Sequence, residues 1–147
     1  MTASTMLEIV LPRINQNYEI ESKRVDITYA GETIKINPGV GIPVGIFIKI
    51  SDSKFNSGYY KIIDRLKGGY HLDRIVTKGT ETAVITLLAI PAGLDTIIGQ
   101  MAKYAKETAD NQFKSERFDD YSYTRNDEDV FKKFSGMLGS YRRLKSL

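Results

Sequence analysis

The 147-residue sequence contains no cysteine, no tryptophan, one histidine and four prolines. The absence of cysteine excludes disulfide bonds and thiolate-ligated metal sites. No apolar run approaches the roughly 20 residues that a membrane-spanning helix needs. The first residues also lack the basic-then-apolar pattern of a secretory signal. We therefore expect a protein that makes no membrane contact and stays in the cytoplasm in which it is made.

Acidic and basic residues are also nearly balanced in number. The formal net charge is +3, which by itself is too small to indicate nucleic-acid binding. Near the C-terminal end the charges separate: residues 116–129 contain six acids and two bases, whereas residues 132–147 contain five bases and no acid. Such an end can bind a complementary surface, or it can simply complement the dipole of a helix.

Alternating apolar and polar residues predict strands through the first ninety residues. Residues 25–29 and 33–36 alternate around a turn, as do residues 59–65 and 70–76, so two antiparallel hairpins are expected. Two further runs are rich in β-branched and apolar residues and predict buried strands; they cover residues 46–50 and 83–90.

At Pro91 the spacing of apolar residues changes from every second residue to every third or fourth residue. Apolar residues then recur at helical spacing, which predicts a helix from Pro91 to Asp110, and proline is tolerated in a first turn. A polar stretch, Lys114 to Asn126, precedes a short final helix with its own apolar stripe. The stripe comprises Val130, Phe131, Phe134, Met137, Leu138 and Tyr141.

The predicted fold class is α+β. A strand-rich N-terminal body of antiparallel hairpins occupies residues 1–90. One long amphipathic helix, residues 91–112, completes the same domain. A C-terminal arm, residues 113–147, ends in the short helix.

No constellation of catalytic or metal-binding residues is apparent. His71 has neither a serine nucleophile elbow nor a second histidine to accompany it. The carboxylates of residues 116–129 lack the spacing and the glycine of a calcium loop. The glycine-rich residues 39–45 precede a strand rather than a helix, so they do not form a phosphate loop. We expect no enzyme: no catalytic residue, no cofactor and no metal.

The nine tyrosines and a sequence pI near 9.0 raise the possibility of a small nucleic-acid-binding β domain. A single-strand binder combines aromatic platforms with a basic groove. The candidate residues are Tyr59, Tyr60, Tyr70, Arg65, Lys67 and Arg74. The alternative is that these tyrosines are half-buried strand residues, which their β propensity favours.

The last third of the chain carries a family resemblance. A helix opened by Ile90-Pro91 is followed by Lys-Ser-Glu-Arg-Phe-Asp-Asp-Tyr-Ser-Tyr-Thr at residues 114–124, and the chain ends near Tyr141-Arg142-Arg143. This pattern resembles the head-tail connector (adaptor, or head-completion) proteins of long-tailed double-stranded DNA bacteriophages. The stretch Asn56 to Ile62 also resembles a hairpin start in related phage proteins. The resemblance covers residues 90–143 and extends only loosely to the strand-rich half, where many members are helical.

The resemblance implies a structural virion protein of the neck, made in the host cytoplasm. Copies of the chain would form a homo-oligomeric ring, dodecameric by resemblance, that connects the portal protein to the tail. The ring would extend the DNA channel, contact the passing DNA non-specifically, and give a tail-side stopper or tail protein its docking surface. A tail-completion or tail-terminator protein is the alternative within phage structure.

Tyrosine and arginine are residue types that anchor protein interfaces, and heterologous contacts close into rings. The residues predicted to contact the portal or a neighbouring subunit are Glu116, Tyr121, Tyr123, Phe134, Tyr141, Arg142 and Arg143. For the final helix an alternative stays open. It can fold back onto its own body, with Phe131, Phe134 and Leu138 in the core.

Overall fold

The computed structural model describes residues 2–113 and 120–142, with side chains described for residues 2–108 and 129–142. A helix precedes six strands, and two longer helices and a 3-10 turn follow them. The elements are α1 (Ala3–Ile14), β1 (Glu19–Ala30), β2 (Thr33–Asn37), β3 (Phe47–Ser51), β4 (Gly58–Leu66), β5 (Gly69–Leu72), β6 (Gly79–Leu88), α2 (Ala92–Phe113), α3 (Asp120–Leu138) and the turn Gly139–Tyr141. The predicted α+β class, with its strand-rich body and long helix, is confirmed.

The six strands form a closed antiparallel barrel in the order β1-β2-β5-β4-β3-β6. Both predicted hairpins are present, since β1 pairs with β2 and β4 pairs with β5. Successive side chains of a strand point to opposite faces, so alternate residues fill the barrel interior. This first core includes Val25, Ile27, Tyr29, Ile34, Ile48, Ile50, Tyr60, Ile62, Tyr70, Leu72, Ala83, Ile85 and Leu87.

A second core lies between the helices and the outer wall of the barrel. In the β3–β6 register Phe47 pairs with Leu88, and Ile48 pairs with Leu87. The pleat therefore turns Phe47 and Leu88 outwards while their neighbours face inwards. The second core combines these two side chains with residues of all three helices: Met6, Leu7, Val10, Leu11, Ile14, Leu94, Ile98, Met101, Ala102, Ala105, Val130, Phe131, Phe134 and Leu138.

Helix α1 lies within the region predicted as strands. Its buried residues, Met6, Leu7, Val10, Leu11 and Ile14, follow the three- and four-residue spacing of an amphipathic helix. The Thr2 side chain caps the helix by accepting from the Thr5 N–H at 3.2 Å. The helix is short and contains Pro12 in its last turn. Its apolar spacing is therefore less distinctive in the sequence than that of α2. Helix α3 also begins earlier than expected, and part of the polar stretch Lys114–Asn126 is helical.

Two charged residues of the β5–β6 loop hold α1 against the barrel. The Asp73 carboxylate accepts from the Ser4 N–H at 3.0 Å, from the Ser4 hydroxyl at 2.7 Å and from the Lys61 N–H at 3.0 Å. Arg74 Nη1 donates to Glu8 Oε2 at 3.2 Å and to the Tyr59 carbonyl at 2.9 Å. A carboxylate near the first turn of a helix also complements the helix dipole. The N-terminal end of α1 is therefore fixed by side chains some 70 residues away.

The stretch Asn56 to Ile62 has a structural role in this junction. Asn56 Nδ2 donates to the Thr77 carbonyl at 2.9 Å, and its Oδ1 accepts from the Thr77 N–H at 2.7 Å. Gly58 has φ +152, and a Cβ there would lie 3.0 Å from Glu8 Oε1, so this position favours glycine. The motif joins the β3–β4 loop to the β5–β6 loop and leaves room for α1.

Candidate assembly interface

The C-terminal half of α3 packs on the chain's own body. Phe134 is 6% exposed, and its ring meets the Tyr104 ring edge-on with centroids 5.9 Å apart. Lys133 Nζ lies 4.0 Å from the centroid of the same Tyr104 ring, a cation–π geometry. Met137, by contrast, is 51% exposed. Most of the predicted apolar stripe therefore belongs to the core, as in the alternative that folds the final helix back.

A groove of about 460 Å³ lies between the C-terminal ends of α1 and α3. Its lining residues are Arg13, Ile14, Asp129, Phe131, Lys132, Ser135, Leu138 and Arg142. The guanidinium carbon of Arg13 lies 4.0 Å from the centroid of the Phe131 ring, so this cation covers an aromatic side chain. Apolar side chains thus line part of the groove, and charged side chains line the remainder.

Basic side chains outnumber acidic ones among the described residues that line the groove. Three of these side chains are basic, Arg13, Lys132 and Arg142, and one is acidic, Asp129. Arginine offers several donors in a planar fork that suits carboxylates. A surface that mixes apolar contacts with arginine donors binds protein segments carrying carboxylates and apolar side chains.

The predicted interface residues fall into three groups. Arg142 is exposed and lines the groove, whereas Phe134 and the partly buried Tyr141 pack within the chain. Tyr121 and Tyr123 lie in α3, but their side chains are outside the described part. Glu116 and Arg143 lie outside the described residues altogether.

Two of the three basic residues that line the groove, Arg13 and Lys132, were not among the predicted interface residues. Lys132 belongs to the basic C-terminal end, which was recognised only as a charge run. Arg13 had no local signal, because its role depends on α1 and on the approach of α3 to it. The sequence places these residues 119 positions apart (132 − 13), and only the packing of the two helices brings them to one groove.

Tyr141 fixes the end of the described chain to the body. Gln16 Nε2 donates to the Tyr141 carbonyl at 3.3 Å. A Cβ at Gly93 would lie 2.2 Å from the Tyr141 hydroxyl oxygen, so the hydroxyl occupies the space that a side chain would fill. Burial, and to a smaller extent Tyr141, raises the pKa of the Tyr18 hydroxyl. Tyr141 therefore fixes the backbone next to Arg142, which lines the groove.

Replacing Gly93 with alanine is expected to destabilise the protein by about 1 kcal/mol, because Tyr141 must move to admit the methyl group. In a Tyr141→Phe background the nearest ring atom is 3.5 Å away, so the same change is expected to be nearly neutral. Urea unfolding of the four variants measures the difference. Gly99→Ala, also in α2, meets no atom within 4 Å and serves as the control. Equal losses in both backgrounds would contradict this account.

The tyrosines considered for base stacking are enclosed. Tyr60 and Tyr70 are 3% and 7% exposed inside the barrel, and Tyr59 packs against the second core. Burial raises the pKa of both the Tyr59 and the Tyr60 hydroxyls. Base stacking needs an accessible ring face, and these three residues do not form such a platform.

His71 and the carboxylates form no reactive cluster in the described part of the chain. His71 Nε2 lies 3.0 Å from Glu32 Oε2 in an exposed pair. Within residues 2–108 and 129–142, whose side chains are described, no group of three or more histidine, aspartate or glutamate side chains is placed to hold a metal ion. None of the helices in these ranges combines the length and the hydropathy needed to span a membrane.

The described part of the chain defines a closed six-stranded barrel with a helical layer on the outer wall formed by β3, β4 and β6. Comparison with protein-family models, curated proteins and solved structures finds no match for this chain.

Proposed function

We propose that this protein is a structural subunit of the head-tail connector ring of a long-tailed bacteriophage, located in the neck of the virion. The observation that carries the proposal is the basic groove between α1 and α3. Arg142 lines this groove and belongs to the segment that carries the family resemblance. A connector holds two bodies together, a task that requires surfaces and no reacting group.

The groove has the composition of a protein-binding surface. Arginine is enriched where interfaces bury their energetically dominant contacts, and Arg13 and Arg142 both line the groove. Arg142 would pair with carboxylates of the portal protein or of the next subunit. A groove on one subunit filled by a different surface of its neighbour is a heterologous contact, which closes into a ring when the rotation allows.

The charge reversals Lys132→Glu and Arg142→Glu test this proposal. Together they are expected to weaken binding to the purified cognate portal ring by about tenfold or more. Lys35→Glu, an exposed lysine on β2, is the matched control and should bind as the wild type does. The measurements are light-scattering mass of the mixtures and electron microscopy of the stacked rings.

Each outcome has a distinct meaning. A wild-type protein that ignores the portal contradicts the connector function. Wild-type rings found at the end of isolated tails would instead identify a tail-completion or tail-terminator protein. Undiminished binding by the double variant would move the portal contact away from the groove.

A further inference from the structure

The end of the barrel opposite the groove carries conspicuous apolar side chains. It is formed by the β1–β2 turn, the β3–β4 loop and the β5–β6 loop, and we call it the loop end. Ile75 is 77% exposed and Phe55 is 69% exposed, the two highest values among the large hydrophobic residues in the described part of the chain. Both side chains lie on loops and belong to neither of the two cores.

The backbone beneath Phe55 and Ile75 is held firmly. The two Asn56–Thr77 hydrogen bonds join the loops. The neighbouring Val76 is buried, at 5% exposed, and its N–H donates to the Gly31 carbonyl at 2.7 Å. A loop whose backbone is already fixed loses less entropy on binding than a mobile one, which favours its use in an interface.

Glu81 anchors the other side of the β3–β4 loop. Its carboxylate accepts from the Tyr29 hydroxyl at 2.7 Å, from the Lys54 N–H at 3.0 Å and from the Ser53 hydroxyl. Burial acts to raise the pKa of Glu81, but these hydrogen bonds outweigh it and lower the pKa. The ionised form of Glu81 is thus the one that holds the loop.

Most charged side chains of the loop end are already paired or hydrogen-bonded within the chain. Asp52 pairs with Arg24 at 2.8 Å, Glu32 with His71 at 3.0 Å and Arg74 with Glu8 at 3.2 Å, while Asp73 bonds to Ser4 at 2.7 Å and Glu81 to the β3–β4 loop. The remaining bases, Lys54 and Lys78, make no ion pair with any described residue. Lys54 Nζ lies 5.3 Å from the Phe55 ring centroid. Both lysines also line a cavity of about 170 Å³ between the two loops.

The loop end and the groove lie at opposite ends of α1. Ser4, in the first turn of the helix, bonds to Asp73 of the β5–β6 loop, whereas Arg13 and Ile14, in its last turn, line the groove. Ser4 and Arg13 are nine residues apart in this helix, so they are separated by about 14 Å along its axis. Two surfaces placed in this way can bind two different bodies at once.

We propose that the loop end is a second docking surface, which inserts Phe55 and Ile75 into an apolar socket with an acidic rim on a partner protein. The assignment of that partner to the tail side of the neck rests on the proposed function. The socket follows from the apolar side chains, and the acidic rim follows from Lys54 and Lys78. The cavity between the loops accepts a side chain of the partner in return.

The test uses the full chain assembled on portal-bearing capsids, with tails purified from the same virus as the probe. The double variant Phe55→Ser with Ile75→Ser is expected to form rings on the portal but to reduce tail joining by about tenfold or more. Ile20→Ser, on β1 and 61% exposed, is the matched control and should join tails normally. Lys54→Glu with Lys78→Glu removes no apolar group and should also reduce joining.

The failures of the two proposals are distinguishable. A wild-type chain that forms no ring on the portal contradicts the proposed function, and the tail-side assignment falls with it. If the variants form rings on the portal and join tails as well as the wild type does, only the proposed docking surface would be overturned. Variants that lose ring formation would also overturn it, because the loop end would then be a contact within the ring. Flotation of the wild type with anionic phosphatidylserine vesicles, abolished by the same variants, would assign the loop end to a lipid surface instead.

Discussion

Replacing Phe134 with alanine should lower the free energy of unfolding by about 3 kcal/mol, since a buried phenylalanine loses its transfer energy and leaves a cavity. Phe134 is 6% exposed and packs against Tyr104. The prediction separates two roles for this residue. A core residue destabilises the isolated protein when truncated, whereas an interface residue changes assembly and leaves the isolated protein almost as stable as before.

Met137 provides the control on the same helix. It is 51% exposed, so Met137→Ala should change the free energy of unfolding by less than about 0.5 kcal/mol. Urea unfolding of the isolated protein, followed by circular dichroism, measures both changes. If Phe134→Ala were as stable as Met137→Ala, the packing of α3 on the body would not persist in solution.

Asp73→Ala is expected to destabilise the protein by about 3 kcal/mol, because three donors lose a charged acceptor. Two of them, the Ser4 N–H and hydroxyl, belong to the first turn of α1, and the third is the Lys61 N–H. Ser4 is 0% exposed, so water cannot easily replace the carboxylate. The expected change is lost attachment of α1, with the barrel core intact.

Asp64→Ala is the matched control, since among the described residues that exposed carboxylate bonds only to the adjacent Arg65 N–H, at 2.8 Å. Its expected effect is below about 0.5 kcal/mol. Hydrogen exchange by mass spectrometry locates the change: amides of α1 should lose protection in Asp73→Ala, and those of β1 and β6 should keep it. Retained protection in α1 would show that apolar packing alone holds the helix.

Local periodicity was sufficient for most secondary structure. The two hairpins and α2 were predicted because their alternation of two, or their helical spacing, extends over enough residues to be distinctive. Helix α1 was missed because its stripe is short and includes Pro12. The Asn56 stretch was noticed as a motif, but its function as a bridge to Thr77 required the β5–β6 loop to be in place.

The sequence predicts only part of the candidate site. Arg142 is predicted because it belongs to the Tyr141-Arg142-Arg143 end of the resembling segment and to the basic terminal run. Phe134 was selected from the same apolar stripe as Met137, and periodicity cannot say which members of a stripe are covered. Their exposures of 6% and 51% follow from where Tyr104 and α1 lie, and neither position is encoded near residue 134.

The α+β class, the strand-rich body, the long helix and the resemblance in the last third can be read from the sequence, because these depend on residues close together in the chain. The closure of the barrel, the division into two cores, the contact of Arg13 with Phe131 in one groove and the exposure of Phe55 and Ile75 at the opposite end require the folded chain. Burial and charge pairing depend on neighbours in space. Here the strand order β1-β2-β5-β4-β3-β6 and the packing of helices from both ends of the chain bring those neighbours together.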